Sequence, residues 1–158
     1  MKEIKGKSTN ILHVLGIVYG LGLFYLLFLY RAGSDYAWTY SEYLLAMSNF
    51  IPLKSVYVLL TTPVISASLI LRFVINFVGN ILLFIPWGIL LPLCFNRLQS
   101  FKKFVVITCT AVLLIETIQL FAMLGSFDIE DILLNVSGAC IGFGVHRALF
   151  RKKDKTSL

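Results

Sequence analysis

The sequence predicts an all-α integral membrane protein: a bundle of four transmembrane helices with an amphipathic or re-entrant segment between the first two. Three observations lead there. Of 158 residues, 58% are hydrophobic and only 14% charged, too apolar a balance for a soluble domain of this length. Several near-uncharged stretches approach the ~20 residues that a helix needs to cross a bilayer. The net charge of +6 is also clustered. Lys2, Lys5 and Lys7 precede the first apolar run. Arg97, Lys102 and Lys103 fall in a short break, and Arg147, Arg151, Lys152, Lys153 and Lys155 crowd the C-terminus. Such clustering is the positive-inside pattern of a membrane topology. It argues for membrane lipids as partners and against nucleic acid, and the same clusters suit anionic lipid heads.

The first span is Ile11 to Tyr30, after a basic tail at 1–10. Its flank resembles a signal peptide, but the apolar core is too long and no small-residue cleavage site follows, so a retained helix is expected. Gly16, Gly20 and Gly22 would let a neighbouring helix approach closely.

Residues 31–72 form a connector. It starts polar with Arg31, Ser34, Asp35 and Glu42, then turns amphipathic in "SNFIPLKSVYVLL", Ser48 to Leu60. Ser55 to Leu71 is apolar enough to make a fifth span the alternative. Pro63 interrupts it, however, and Arg72 leads into the next apolar run with no room for a turn. A segment lying in the interface or dipping partway in is the expectation.

The second span is Phe73 to Leu93, the third Phe104 to Met123, and the fourth Ile129 to Phe150, followed by a basic tail at 151–158. With both termini cytoplasmic, eleven of the fourteen Lys and Arg lie inside, leaving Arg31, Lys54 and Arg72 outside. One domain over 1–158 is expected, without repeats or low-complexity tracts.

This topology assigns depths. Glu116 stands twelve residues beyond the inner start of the third span, roughly 18 Å up at the α-helical rise, with Gln119 nearer the surface. Asn76 and Asn80 occupy the outer turns of the second span. Asp128, Asp131 and Asn135 occupy the outer end of the fourth. Polar residues from three helices therefore share one level.

Their angles agree. Glu116 and Gln119 lie about 60° apart around their helix, and Asp128, Asp131 and Asn135 span about 60° of theirs. Gly138 and Gly142 continue the same face, a stripe suited to close helix packing that would turn the acids inward. Glu130 points elsewhere and is expected among the lipid head groups, where it would be dispensable.

Simpler roles compete at several positions. Asp128 suits a helix N-cap, with acids favoured at that end, and Asn135 suits an interhelical hydrogen bond. Glu116 resists such a role most, because an ionisable group inside an apolar helix needs a named partner. Candidates are Asn76, Asn80, Gln119, a cation shared with Asp131, or Arg72 from the connector. His13, His146, Trp38, Trp87 and the tyrosines read as interfacial residues or lipid contacts. Cys94, Cys109 and Cys140 show no metal or disulfide spacing and read as packing residues.

Four motifs, in order, resemble the VanZ-like family: "NFIPL" (Asn49 to Leu53), "NILLFIPWGILLP" (Asn80 to Pro92), "ETIQL" (Glu116 to Leu120) and "GSFDIEDILLNVSGACIG" (Gly125 to Gly142). They cover about residues 45 to 145. The resemblance implies a small multi-pass protein of the bacterial cytoplasmic membrane, associated with resistance to teicoplanin, a lipoglycopeptide that binds cell-wall precursors outside the membrane. The family's polar pattern falls here on Asn80, Glu116, Gln119, Asp128, Asp131 and Asn135. A cation that the family often carries between the Gln and the first Asp is absent from "LFAMLGSF".

Two functions follow as expectations. In one, a non-enzymatic envelope protein binds a lipid-linked cell-wall precursor, lipoglycopeptide or other amphiphile at an outer-leaflet polar pocket, without a cofactor. In the other, a membrane-embedded enzyme acts on a lipid head group. Glu116 would then serve as base or ligand, and Asp128 and Asp131 would complete an oxygen-rich site for a divalent cation such as Mg²⁺.

Overall fold

The computed structural model describes residues 2–30 and 38–150, with side chains from residue 11 onward. The side chains of Lys2, Lys5 and Lys7, and the whole of Arg31, Ser34, Asp35, Arg151, Lys152, Lys153 and Lys155, lie outside the described set. Within it the chain is mostly helical. Four helices are long and apolar enough to cross a membrane: Ile11–Leu29, Ala67–Cys94, Phe101–Phe121 and Ile129–Phe150.

The first long helix, α1 (Lys2–Phe24), passes into a π-helical turn at Tyr25–Leu29, closed by the Tyr30 amide donating to the Tyr25 carbonyl at 2.8 Å. Such a widened turn displaces backbone carbonyls from their usual partners. Gly16 packs beside Cys94 Sγ, but Gly20 and Gly22 face open space, so only the first of these glycines serves a helix contact.

The connector folds into two short helices, α2 (Tyr40–Ala46) and α3 (Lys54–Thr61), with a two-residue strand β1 (Ser48–Asn49) between them. Thr39 and Glu42 form a capping box at the start of α2. The Thr39 hydroxyl, then its amide, bond the Glu42 carboxylate and hold it below the usual carboxylate range. The eight residues of α3 reach only about 12 Å, far short of a bilayer's ~30 Å core. The fifth-span alternative therefore fails.

Helix α4 (Ala67–Cys94) begins six residues before the expected Phe73 and carries Arg72 within it. Ser66 starts it, its hydroxyl accepting from the Leu69 amide at 3.2 Å. Arg72 does not break the apolar run, because a long cationic side chain near a helix end can reach the polar interface.

Helix α5 (Phe101–Phe121) follows a 3₁₀ turn at Asn96–Gln99, and a second two-residue strand β2 (Phe127–Asp128) leads into α6 (Ile129–Phe150). The last turn of α5 closes as a Schellman motif. The Leu124 amide donates to the Gln119 carbonyl and the Met123 amide to that of Leu120, with Met123 at φ 56°, in the left-handed position that glycine usually fills.

The central contact is α4 against α6, running parallel. A Cβ on Gly138 would fall onto the Ile81 carbonyl, and one on Gly142 onto that of Ile85. One on Gly88 would meet the Ala139 carbonyl. The two backbones therefore touch, as they can only where side chains are absent. Phe84, Phe104, Val112, Ala139 and Phe143 fill the core around this seam.

Two aromatic and imidazole groups depart from their expected interfacial places. Trp87 donates its indole N–H to the Thr108 hydroxyl at 3.2 Å inside the bundle. His146 is buried and stacks on Phe150 with ring centroids 5.7 Å apart.

Candidate functional site

The expected polar level exists as one end of the bundle, where α4 and α6 begin and α5 ends. The start of α6 is set by Asp128, which does act as its cap. One carboxylate oxygen, Oδ1, accepts the Glu130 amide at 2.8 Å and also the Asn49 side-chain amide at 3.0 Å. Capping and tertiary bonding thus occupy the same atom.

One turn on, Asp131 points at α4. Its Oδ1 accepts from Asn80 Nδ2 at 2.6 Å and from Asn76 Nδ2 at 3.2 Å. Asn76 and Asn80 are four residues apart, so both amides face the same neighbour.

From α5, Glu116 is buried, with 3% exposure, and its Oε2 accepts the Asp128 amide at 3.4 Å, a long bond. Gln119 is equally enclosed and donates to the Leu27 carbonyl at 2.9 Å, a carbonyl of the π-helical turn. Asn135 is buried one turn below Asp131. Its Oδ1, with Gln119 Oε1 and Glu130 Oε1, finds no hydrogen-bond partner among the described residues. Buried acceptors left in this way favour a donor brought by water or ligand.

Glu130 corrects the expectation of a head-group residue. It is only 1% exposed, and its Oε2 accepts the Ser55 amide at 3.0 Å. The side chain turns back beneath the connector and satisfies one of the free N–H groups that open α3. Angular reasoning on α6 alone placed it away from the other acids. That was right about direction, but the connector already fills that side.

The connector is tied down at further points. β1 pairs with β2 in parallel, Ser48 opposite Phe127 and Asn49 opposite Asp128. Phe50 and Phe127 bring their rings to 5.3 Å. Tyr43, fully buried, donates its hydroxyl to the Gly125 carbonyl at 2.6 Å. Asn49 and Ser55 are thus site residues that sequence reasoning missed. Asn49 was marked only by its place in the "NFIPL" motif, and Ser55 contributes a backbone amide that no side-chain pattern reveals.

Between connector and bundle opens a cavity of about 330 Å³. Asn49, Ser55, Asn76 and Asp128 are its polar lining, Val58, Leu59, Leu69 and Phe73 its apolar lining, and Lys54 and Arg72 its cations. Asn76 and Asp128 are the candidate residues that line it. Asn80, Glu116, Gln119, Asp131 and Asn135 stand behind them in the polar network or beside it.

As to metal, Glu116, Asp128 and Asp131 do not come together as a ligand set. Among the described residues no group of three or more His, Cys, Asp and Glu side chains is placed to hold an ion. Their acceptor atoms are instead engaged by amides of the protein.

The sequence model of the VanZ/LLP1 family matches residues 15–151, which takes in every one of these residues. No curated protein and no solved structure showed a significant match.

Proposed function

Since the chain belongs to the VanZ/LLP1 family and is a multi-pass membrane protein, we propose that it binds a lipid-linked or amphiphilic molecule in the cavity under its connector, facing outward, and so limits lipoglycopeptide action. The observation that carries this reading is the mixed lining of that cavity. Amide, hydroxyl and carboxyl groups share it with aliphatic and aromatic ones, and Asn76 and Asp128 join it to the polar end of the bundle. An amphiphile matches both kinds of surface, whereas a wholly polar or wholly apolar ligand matches one.

The outward orientation rests on the basic clusters, whose positive-inside bias supports a cytoplasmic position for the opposite end of the bundle and both termini. Reporter fusions at the two termini check it, and an extracytoplasmic signal from either would overturn it.

Behind the cavity, Asp131 and Asn80 join Asn76 of its lining in one polar layer, and Glu116 bonds the backbone of the strand that carries Asp128. An enzymatic role draws on the buried Glu116 carboxylate and is the second reading, but this group is directed at the Asp128 backbone amide rather than listing toward the cavity.

The test compares lipids and amphiphiles co-purifying with wild type and with Glu116→Ala and Asp131→Ala, alongside teicoplanin susceptibility of cells expressing each. Loss of one molecular class from both variants, with raised susceptibility and unchanged membrane insertion, is expected. Identical co-purifying profiles and identical susceptibility would overturn the reading. Turnover of a purified lipid that depends on Glu116 would favour the enzymatic one.

A further inference from the structure

We propose that the cavity selects an amphiphile with a phosphate head, held by Lys54 and Arg72. This rests on the reading of the cavity as an amphiphile site and adds the chemistry of the head group. Lys54 opens α3 and Arg72 lies in the second turn of α4, yet the fold brings both to one cavity. Asp128 is the one carboxylate in its lining, and its Oδ1 already accepts from the Asn49 side chain and the Glu130 amide. Two cations against one engaged acid leave the lining itself with a positive excess, while Glu130 and Asp131 lie behind it, bonded to Ser55 and Asn76.

Such an excess at a membrane end attracts an anion, because a concave surface of one sign concentrates counter-charge. Phosphate fits this pair. An arginine fork bonds two of its oxygens in parallel, and lysine adds a point charge from the other side. A carboxylate would satisfy the fork but leave fewer oxygens for Lys54. The apolar lining then decides the remainder of the ligand. Val58 and Leu59 on α3 and Leu69 and Phe73 on α4 line the same cavity, apolar surface along which a hydrocarbon chain continues from the head.

The experiment titrates the full-length protein in dodecyl maltoside micelles with dodecyl phosphate, dodecyl glucoside or inorganic phosphate, reading binding by calorimetry. Dodecyl phosphate is expected to bind wild type most tightly. The double variant Lys54→Gln/Arg72→Gln should weaken it by about tenfold or more, the scale of losing charge-assisted bonds. Arg97→Gln/Lys102→Gln, at the opposite end, should leave it unchanged. Both replaced pairs are exposed, so folding is retained, and an unchanged melting profile verifies it.

Equal binding of dodecyl phosphate and dodecyl glucoside, insensitive to Lys54 and Arg72, would overturn the phosphate head and leave the amphiphile cavity standing. Binding of neither amphiphile would remove both readings. Inorganic phosphate bound as tightly as dodecyl phosphate, with the same dependence on the two cations, would keep the head-group chemistry and transfer it to a soluble ligand.

Discussion

Helices α4 and α6 meet twice, and by opposite means. At mid-depth Gly88, Gly138 and Gly142 leave no side chain at the points of closest approach and let backbone press on backbone. Two turns toward the polar end, Asn76 and Asn80 reach from α4 to Asp131 on α6. The first contact is non-directional and depends on the absence of atoms. The second is directional and depends on atoms being placed to within tenths of an ångström.

The difference shows an order of causes. Glycine contact sets the spacing of the helices, and that spacing brings two amides within reach of one carboxylate oxygen. A polar pair could not by itself draw the helices together, since interhelical hydrogen bonds in membranes average well under 1–2 kcal/mol.

The sharpest way to break this relation is Gly142→Leu. Its side chain would meet the Ile85 carbonyl, so the helices must part, at a cost of about 3 kcal/mol. Reversible unfolding in mixed micelles should show that loss. Co-purification of amphiphile should fall with it, because the asparagines no longer reach Asp131. Retained binding in a destabilised Gly142→Leu protein would show the polar layer to be independent of the seam.

Next in size is Asp131→Ala, which leaves the Asn76 and Asn80 amides without their shared acceptor. A cost of about 2 kcal/mol is expected for stranding half-buried donors, measured in the same unfolding assay. Here the seam should persist, visible as unchanged protection of the α4 and α6 amides from hydrogen exchange. If Asp131→Ala destabilises no more than Lys103→Ala, an exposed control on α5, the polar layer contributes nothing to the fold.

The smallest effect is expected from Glu130→Ala, which frees the Ser55 amide. About 1 kcal/mol of local stability is at stake, confined to the connector, so hydrogen exchange should quicken at Ser55 and its neighbours while α4 and α6 stay protected. Unchanged exchange there would mean that the β1–β2 pairing and Tyr43 alone hold the connector down.

The same contrast explains how legible each region was. Glycine stripes and inward-facing acids repeat at helical spacing, so Gly138, Gly142, Asp131 and Asn135 could be placed on one face from the sequence. Contacts made by the connector have no period. Glu130 was misjudged for that reason, since its surroundings are supplied by residues about 75 positions earlier in the chain. Asn49 and the Ser55 amide escaped notice on the same ground, and the Leu27 carbonyl became available to Gln119 only through a π-helical turn that "YLLFL" does not announce.

What the sequence by itself determined is the class of protein, its four spans and the level at which the polar residues gather. Those depend on hydropathy, length and helical angle, all local properties of the chain. Only the tertiary structure decided that the connector folds over the mouth of the bundle, that Glu130 is enclosed beneath it, and that Lys54 and Arg72 share a cavity. These are contacts between distant segments. Their energies depend on which surfaces meet, and no local pattern carries that information.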